Sequence, residues 1–306
     1  MKTIKLGSST LEVPNIAVGC FRMHSLDKFE AKYFVQTALE LGANFFDHAD
    51  IYGRGACEEI FADAIGMNSN IREKIILQSK CGIHKGMYDF SKEHILNSVD
   101  GILKRLKTDY LDVLLLHRPD ALVEPEEVAE AFDTLEISGK VRQFGVSNQH
   151  PMQIQLLQKF VKQPIVVNQL QLSITNATMI SNGMNVNMEN AFAVNRDGGV
   201  LDFCRLNDIT IQPWSPFQYG FFEGVFLGNN DKFPELNKKI DEIAAKYNVS
   251  NTTIVVAWLL RHPAKMQPII GTMNTDRLKD CVEASDIILT REEWYDIYRA
   301  AGNILP

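Results

Sequence analysis

Acid–base chemistry needs side chains that hold or release protons, and this chain offers four of them at Asp47, Tyr52, Lys80 and His117. Asp47 follows Asn44-Phe45-Phe46, an apolar run that reads as the start of a strand. Tyr52 lies in the loop beyond, before Gly53 and Gly55 open the backbone and a helix puts Ile60, Phe61 and Ala64 on one face. A carboxylate near the carboxyl end of a strand and a phenol in the loop after it point to chemistry rather than packing. Lys80 ends Leu77-Gln78-Ser79, and His117 precedes Arg118-Pro119. Singly, each has a plainer role: Asp47 as a loop cap, Tyr52 as a packed aromatic with a wet tip, Lys80 as a solvated charge, His117 as a satisfied core histidine. The elements that carry them decide between the two.

Residues 1–15 read as a hairpin, Thr3–Leu6 and Leu11–Val13 around Gly7-Ser8-Ser9. An alternation follows. Strands are expected at Ile16–Met23, Asn44–Ala49, Ile75–Ser79, Leu111–Leu116, Val141–Gly145, Val166–Leu170, Thr210–Pro213 and Gln267–Ile270. Each precedes a helix, in turn Leu26–Leu41, Cys57–Ile65, Lys92–Leu106, Pro125–Ser138, Pro151–Phe160, Gly199–Leu206, Pro234–Tyr247 and Thr275–Ala284. Near-continuous apolar runs such as Leu111–Leu116 belong to parallel strands buried on both faces. Ile95, Val99, Ile102, Leu103 and Leu106 make one helical stripe. Eight strand–helix units predict an α/β fold, a (β/α)8 TIM barrel. The competing open doubly wound sheet most often carries a Gly-rich dinucleotide turn. Here Gly53-Arg54-Gly55-Ala56-Cys57-Glu58 puts a carboxylate where the third glycine belongs. Beyond the minimal barrel stand the N-terminal hairpin and two extra C-terminal helices, Thr252–Arg261 with Ser250 as N-cap and Thr290–Ala301 with a Thr290/Glu293 capping box. Ser173–Asn190 and Phe217–Asp231 follow strand ends and read as binding loops.

The 306 residues, 45% hydrophobic and 23% charged, suit a soluble globular chain. A barrel often fills this length as one domain, so 1–306 is expected to be a single domain. A net charge of −7 disfavours a nucleic-acid partner. No apolar run approaches the roughly eighteen residues of a membrane span, and Met1–Gly7 lacks an apolar signal core. Five scattered cysteines without a Cys-x-x-Cys pair fit a reducing cytoplasm and exclude a zinc ribbon.

In a barrel the active site lies at the carboxyl ends of the strands. Those ends read Asp47 with Tyr52 beyond it, Lys80, His117, Ser147-Asn148, Gln169, Trp214-Ser215 and Gly271-Thr272. The segments Phe46–Gly53, Ser79–Ile83, His117–Asp120, Gly139–Asn148 and Pro268–Thr272 together resemble the aldo-keto reductases, over nearly the whole chain, and most of all the bacterial branch of general predicted oxidoreductases. The resemblance implies NADPH-dependent reduction of aldehyde or ketone carbonyls, with Asp47, Tyr52, Lys80 and His117 as the catalytic tetrad. Carbonyl reduction needs a hydride, which the cofactor carries, and a proton for the nascent alkoxide. A free tyrosine titrates near 10, and a lysine ammonium beside Tyr52 is expected to lower that value. Asp47 would hold Lys80 charged, and His117 would hydrogen-bond the substrate oxygen.

By the same resemblance Ser147, Asn148 and Gln169 orient the nicotinamide carboxamide and Trp214 stacks on its ring. Ser215 to Gly220 strap the pyrophosphate. Gly271, Thr272, Asn274 and Arg277 surround the adenosine 2′-phosphate, and Asp280 contacts the adenine. Many members carry lysine where this chain has Gly271, so Arg277 must supply most of the cationic recognition; NADPH is expected, with NADH as the alternative. Phe21, Met23, Phe217, Tyr219, Phe221 and Phe222 would line the substrate pocket, with core packing an equal reading for half of them. The chain ends soon after its last helix, which predicts an open pocket for small-molecule carbonyls.

Two other classes stand beside this one. Relatives such as the potassium-channel β subunits serve as cofactor-bound regulators on the same barrel. A metal-dependent barrel hydrolase would draw on His48, Asp50 and His117, but a zinc site normally wants three convergent protein ligands, and no metal is expected. The oligomeric state stays open, a monomer being compatible with the sequence.

Overall fold

A computed structural model describes residues 1–305. Eight parallel strands follow one another around a nearly closed barrel: β1 (Ala17–Gly19), β2 (Phe45–Asp47), β3 (Ile76–Cys81), β4 (Leu111–Leu116), β5 (Val141–Ser147), β6 (Ile165–Gln171), β7 (Thr210–Trp214) and β8 (Ile269–Ile270). The last strand pairs with the first through Ile269↔Ala17 and Ile270↔Val18. Between β7 and β8 the seam is held by the Gln267 N–H donating to the Ile211 carbonyl at 3.1 Å. Besides the short helices Ser69–Arg72 and Thr178–Met184, the helices are α1 (Lys28–Glu40), α2 (Ala56–Ile65), α3 (Lys92–Leu106), α4 (Pro125–Ile137), α5 (Pro151–Phe160), α6 (Val200–Leu206), α7 (Pro234–Tyr247), α8 (Asn251–Leu260), α9 (Thr275–Glu283) and α10 (Arg291–Ala300). No helix among the described residues is long and apolar enough to cross a membrane.

Strand alternation sorts the side chains into two cores. Val18, Phe46, Leu77, Leu114, Val146, Ile211 and Ile270 pack outward against the helices. Ala17, Phe45, Ile76, Val113, Leu115, Val167 and Ile269 fill the barrel, joined by Leu6 and Val13 of the hairpin Thr3–Lys5/Glu12–Pro14, which closes one end. Gly7 lets that hairpin in: at φ +54°, a Cβ there would meet the Val166 carbonyl at 2.3 Å.

Several boundaries differ from the sequence expectation. β1 is shorter than Ile16–Met23: the Cys20 N–H turns to the Asp47 carbonyl at 2.8 Å, and Met23–Ser25 forms a 3-10 turn. The aperiodic stretch Ser173–Asn190 contains a short helix, Thr178–Met184, tied to α10 by the Tyr298 hydroxyl donating to Ser181 Oγ at 2.8 Å. The Ser250 cap and the Thr290/Glu293 capping box form as expected.

Candidate active site

At the carboxyl end of the barrel, period two on β3 puts Gln78 and Lys80 on the inner face together. The Lys80 ammonium is fully buried and donates to both Asp47 carboxylate oxygens at 2.7 and 2.8 Å, to the His48 carbonyl at 2.6 Å and to the Tyr52 hydroxyl at 3.2 Å. The Tyr52 and His117 rings meet edge-on with centroids 5.9 Å apart, and Phe21 packs edge-on against Tyr52 at 5.1 Å. Tyr52 reaches this place through a tight loop: Gly53, Arg54 and Gly55 all take positive φ before α2 begins. The four residues named from the sequence therefore form one cluster.

Burial sets the protonation of the cluster. It works to lower the Lys80 pKa, but the Asp47 carboxylate and the bonds to Asp47 and Tyr52 outweigh it, so Lys80 is raised and stays an ammonium. Tyr52 departs from expectation. Burial raises its pKa above 10, and the neighbouring Lys80 offsets only part of that rise. The phenol keeps its proton. His117 is pushed well below its ordinary value by burial, then by Lys80 and Arg118, and is a neutral imidazole whose Nδ1 has no partner.

A second group joins the tetrad from β5, β6 and β7. Ser147 Oγ donates to the Gln169 carbonyl at 3.0 Å, and Asn148 Nδ2 donates to Ser147 Oγ at 2.7 Å. Trp214 Nε1 donates to Asn148 Oδ1 at 3.2 Å, and Gln169 Nε2 donates to Asp47 Oδ1 at 3.1 Å. Hydroxyl and amide edges beside a half-buried indole suit an aromatic ring bearing a carboxamide. Phe222 already stacks on Trp214, with centroids 5.8 Å apart and planes at 24°, so a ring on that face would displace it. Ser215 and Gly220 both take positive φ, and the Gly220 carbonyl accepts from Gln171 Nε2 at 2.7 Å.

Gly271 to Arg277 lead into α9. The Asn274 side chain caps that helix, accepting the Arg277 N–H at 2.9 Å, and Thr272 Oγ1 accepts the Asn274 N–H at 3.2 Å. Both side chains thus have local duties, while the Arg277 guanidinium is exposed next to a helix N-terminus, a setting suited to a phosphate. Asp280 lies one turn further on, half-buried, its carbonyl accepting from Thr253 Oγ1 at 2.9 Å.

The expected pocket wall divides. Phe21, Phe221 and Phe222 are exposed. Met23 is fully buried in the outer core and lines no pocket, because the 3-10 turn after β1 points it at the helices. Phe217 packs on that core, and Tyr219 sits under the Lys232 ammonium at 4.0 Å and against Phe233. The hydrolase alternative loses its ligands: His48 is a core residue packed on Phe61, held neutral at about 3 by burial and by Lys80, and His48, Asp50 and His117 form no convergent ligand group. Glu58 is a buried anchor, accepting from Ser79 Oγ at 2.8 Å and Arg105 Nε at 2.7 Å, which accounts for a carboxylate in the glycine position.

Two kinds of residue escaped the sequence reading, and Asp50, named there only as a possible metal ligand, stands out for another reason. Gln78, Gln212 and Gln267 form a buried amide chain beneath the tetrad. Gln78 Nε2 donates to Asp47 Oδ1 at 2.6 Å and to Gln212 Oε1 at 2.8 Å; Gln212 Nε2 donates to Gln267 Oε1 at 2.9 Å; Gln267 Nε2 donates to the Pro14 carbonyl at 2.5 Å. For Gln78 and Gln212 the signal available was a polar residue two positions before a named strand end. Arg22 donates to the Gly271 carbonyl at 2.8 Å and puts a guanidinium nitrogen 3.4 Å from where a Cβ on Gly271 would stand. Asp50 has one buried oxygen without a partner, and its carboxyl is raised to about 7, first by burial and then by Glu58.

Comparison with known proteins places this arrangement. The Aldo/keto reductase family profile matches residues 6–301. An uncharacterised oxidoreductase of Bacillus subtilis, YcsN, is 34% identical over 98% of both chains. The oxidoreductase YdhF of Escherichia coli is 35% identical over 88% of this chain and 86% of its own. A 6-dehydroglucose reductase of Agrobacterium fabrum is 32% identical over 96% of each. Among solved structures, the thermostable aldo-keto reductase Tm1743, in complex with the inhibitor epalrestat, superposes with a TM-score of 0.78 at 25% identity, covering 98% of this chain and all of that one.

Proposed function

The chain belongs to the aldo/keto reductase family of oxidoreductases, and from that premise we propose that it reduces small aldehydes and ketones with NADPH, Tyr52 giving the proton. The observation that carries this reading is the single buried ammonium of Lys80 shared between the Asp47 carboxylate and the Tyr52 hydroxyl. When bound, the cofactor supplies the hydride.

The residues supply the rest. Because Lys80 donates to the Tyr52 oxygen, the phenol's own proton is free to point at a substrate oxygen. Burial keeps that proton in place until a stronger base, the nascent alkoxide, takes it. The phenolate left behind sits 3.2 Å from an ammonium that cannot rotate away, because its other donors are committed to Asp47 and the His48 carbonyl. Neutral His117 has an N–H to offer the substrate oxygen and does not compete as an acid. Ser147, Asn148 and Gln169 would hold the carboxamide, Trp214 the ring, Ser215 to Gly220 the pyrophosphate, and Arg277 with Thr272 and Asn274 the 2′-phosphate, with Asp280 toward the adenine.

A panel of aldehydes and ketones incubated with purified protein and NADPH, followed by loss of cofactor absorbance, tests the activity. Turnover that depends on Tyr52 is expected. Tight NADPH binding without turnover of any reactive aldehyde would favour the regulator reading instead.

A further inference from the structure

We propose that His84, Asp89 and His94 form a binding site for a late first-row divalent cation, with zinc as its simplest occupant, on the rim loop after β3. The site is separate from the tetrad and does not rest on the reductase reading. One ligand atom from each of the three residues lies within 4.8 Å of the other two, the one such group among the described residues. The two imidazole rings lie with centroids 4.7 Å apart and planes inclined at 56°.

The local chain explains why they converge. β3 runs into a small hairpin, Ile83–His84 paired with Met87–Tyr88, whose turn is Lys85-Gly86 with Gly86 at positive φ. Met87 lies opposite His84 in the hairpin, and Asp89, two residues on with its N–H donating to the Gly82 carbonyl at 3.0 Å, falls on the same face as His84. The buried Phe90 then anchors the segment, its N–H donating to Asp120 Oδ2 at 2.9 Å. Ser91 caps α3 and accepts the His94 N–H at 3.3 Å, which fixes His94 in the first turn.

Each ligand is partly preset. Asp89 Oδ1 accepts the Ser91 N–H at 2.8 Å, which orients the carboxylate and leaves its other oxygen available. His94 Nε2 lies 3.3 Å from Ser98 Oγ, the kind of outer contact that fixes the rotation of a metal-bound histidine. Two imidazoles and one carboxylate suit zinc and its neighbours, whereas calcium and magnesium want oxygen ligands. Tetrahedral zinc holds its ligand atoms about 3.4 Å apart, so the trio must tighten slightly. The exposed His84, on a hairpin with a glycine turn, is the member free to move. A bound ion would tie the hairpin to α3 and leave a fourth position for water.

Zinc chloride titrated calorimetrically into the chelator-stripped full chain tests the site. One ion per chain is expected, together with a rise in melting temperature. His84→Ala changes an exposed residue, so its zinc-free melt should match the parent. It should weaken zinc binding at least about a hundredfold, more than the outer-shell losses of ten- to hundredfold, and abolish the melting shift. His84→Cys should retain both, and His94→Ala should lose both. Zinc binding equal in the parent and His84→Ala, or no saturable binding to the parent, would overturn the proposal.

Discussion

Tyr52 shows how burial and charge divide the work at a single residue. A lysine beside a phenol suggests a lowered pKa, but the phenol is buried and its pKa rises. An acid that keeps its proton at neutral pH and releases it to an alkoxide beside an ammonium suits reduction. Tyr52→Phe should lower kcat by about 10² to 10⁴ while the NADPH dissociation constant stays nearly unchanged; a mutant reducing at parental rate would move the acid to His117. The pH profile follows from the same directions. His117 is neutral well below its ordinary value and Tyr52 is protonated to above 10, so kcat for reduction should show no inflection near pH 6.5 and should fall only at alkaline pH, as Tyr52 loses its proton. Rates measured from pH 5.5 to beyond pH 10 would check this. Asp50 makes a separate prediction. Its folded pKa of about 7 lies above its ordinary 3.8, so the stability it contributes is present below pH 4 and is lost as pH rises through 7. Asp50→Asn should remove that slope, on the order of 4 kcal/mol by pH 8, in denaturant melts compared between pH 4 and 8.

At the scale of elements, the proposed 2′-phosphate site at the start of α9 would decide cofactor choice. Asn274 caps the helix and Thr272 holds the turn before it, so neither side chain is wholly free for a ligand, and charge recognition falls to guanidinium groups. Arg277 is one. Arg22, from the turn after β1, is the second, fixed to the Gly271 carbonyl. A charged hydrogen bond is worth about 1.5 to 3 kcal/mol. Arg277→Ala should therefore raise the NADPH dissociation constant at least about tenfold and leave NADH almost untouched, in fluorescence titrations of both cofactors. Arg22→Ala should add a smaller loss, and Gly271→Lys should gain little, because the Arg22 guanidinium already lies 3.4 Å from where a Cβ would stand. Equal affinities for both cofactors, unmoved by Arg277→Ala, would put the phosphate elsewhere.

Over the whole molecule, one polar thread runs through the barrel from the hairpin at its closed end to the tetrad: Pro14 carbonyl, Gln267, Gln212, Gln78, Asp47, Lys80. Gln212 is its junction, since Gln169 also donates to it at 3.1 Å. Leucine at that position would leave the side-chain oxygens of Gln78 and Gln267 without their donor and would take one of two acceptors from Gln78 Nε2 and Gln169 Nε2, and each unpaired buried group costs about 1–3 kcal/mol. Gln212→Leu should lose at least about 2 kcal/mol in a urea melt. Its kcat should fall as well, because two of the amides that donate to Asp47 lose their own anchor. Unchanged stability would mean that the thread is dispensable.

The sequence by itself determined the barrel and its working end. Strand and helix periods are local properties, and apolar runs such as Leu111–Leu116 that end in a polar group declare both a buried strand and the side on which chemistry gathers. Asp47, Tyr52, Lys80 and His117 were legible for that reason. The Thr178–Met184 helix was not, because a short Asn-rich turn has no period to read and is held by Tyr298, far along the chain. Tertiary structure alone decided that Met23 belongs to the core while Phe21 stands against Tyr52, that Arg22 meets Gly271, and that glutamines from β3, β6, β7 and the approach to β8 are joined by hydrogen bonds. Each of those outcomes depends on barrel register, which brings together residues as far apart as Gln78 and Gln212. No local pattern encodes that distance, because the pairing is set only when eight strands close on one another.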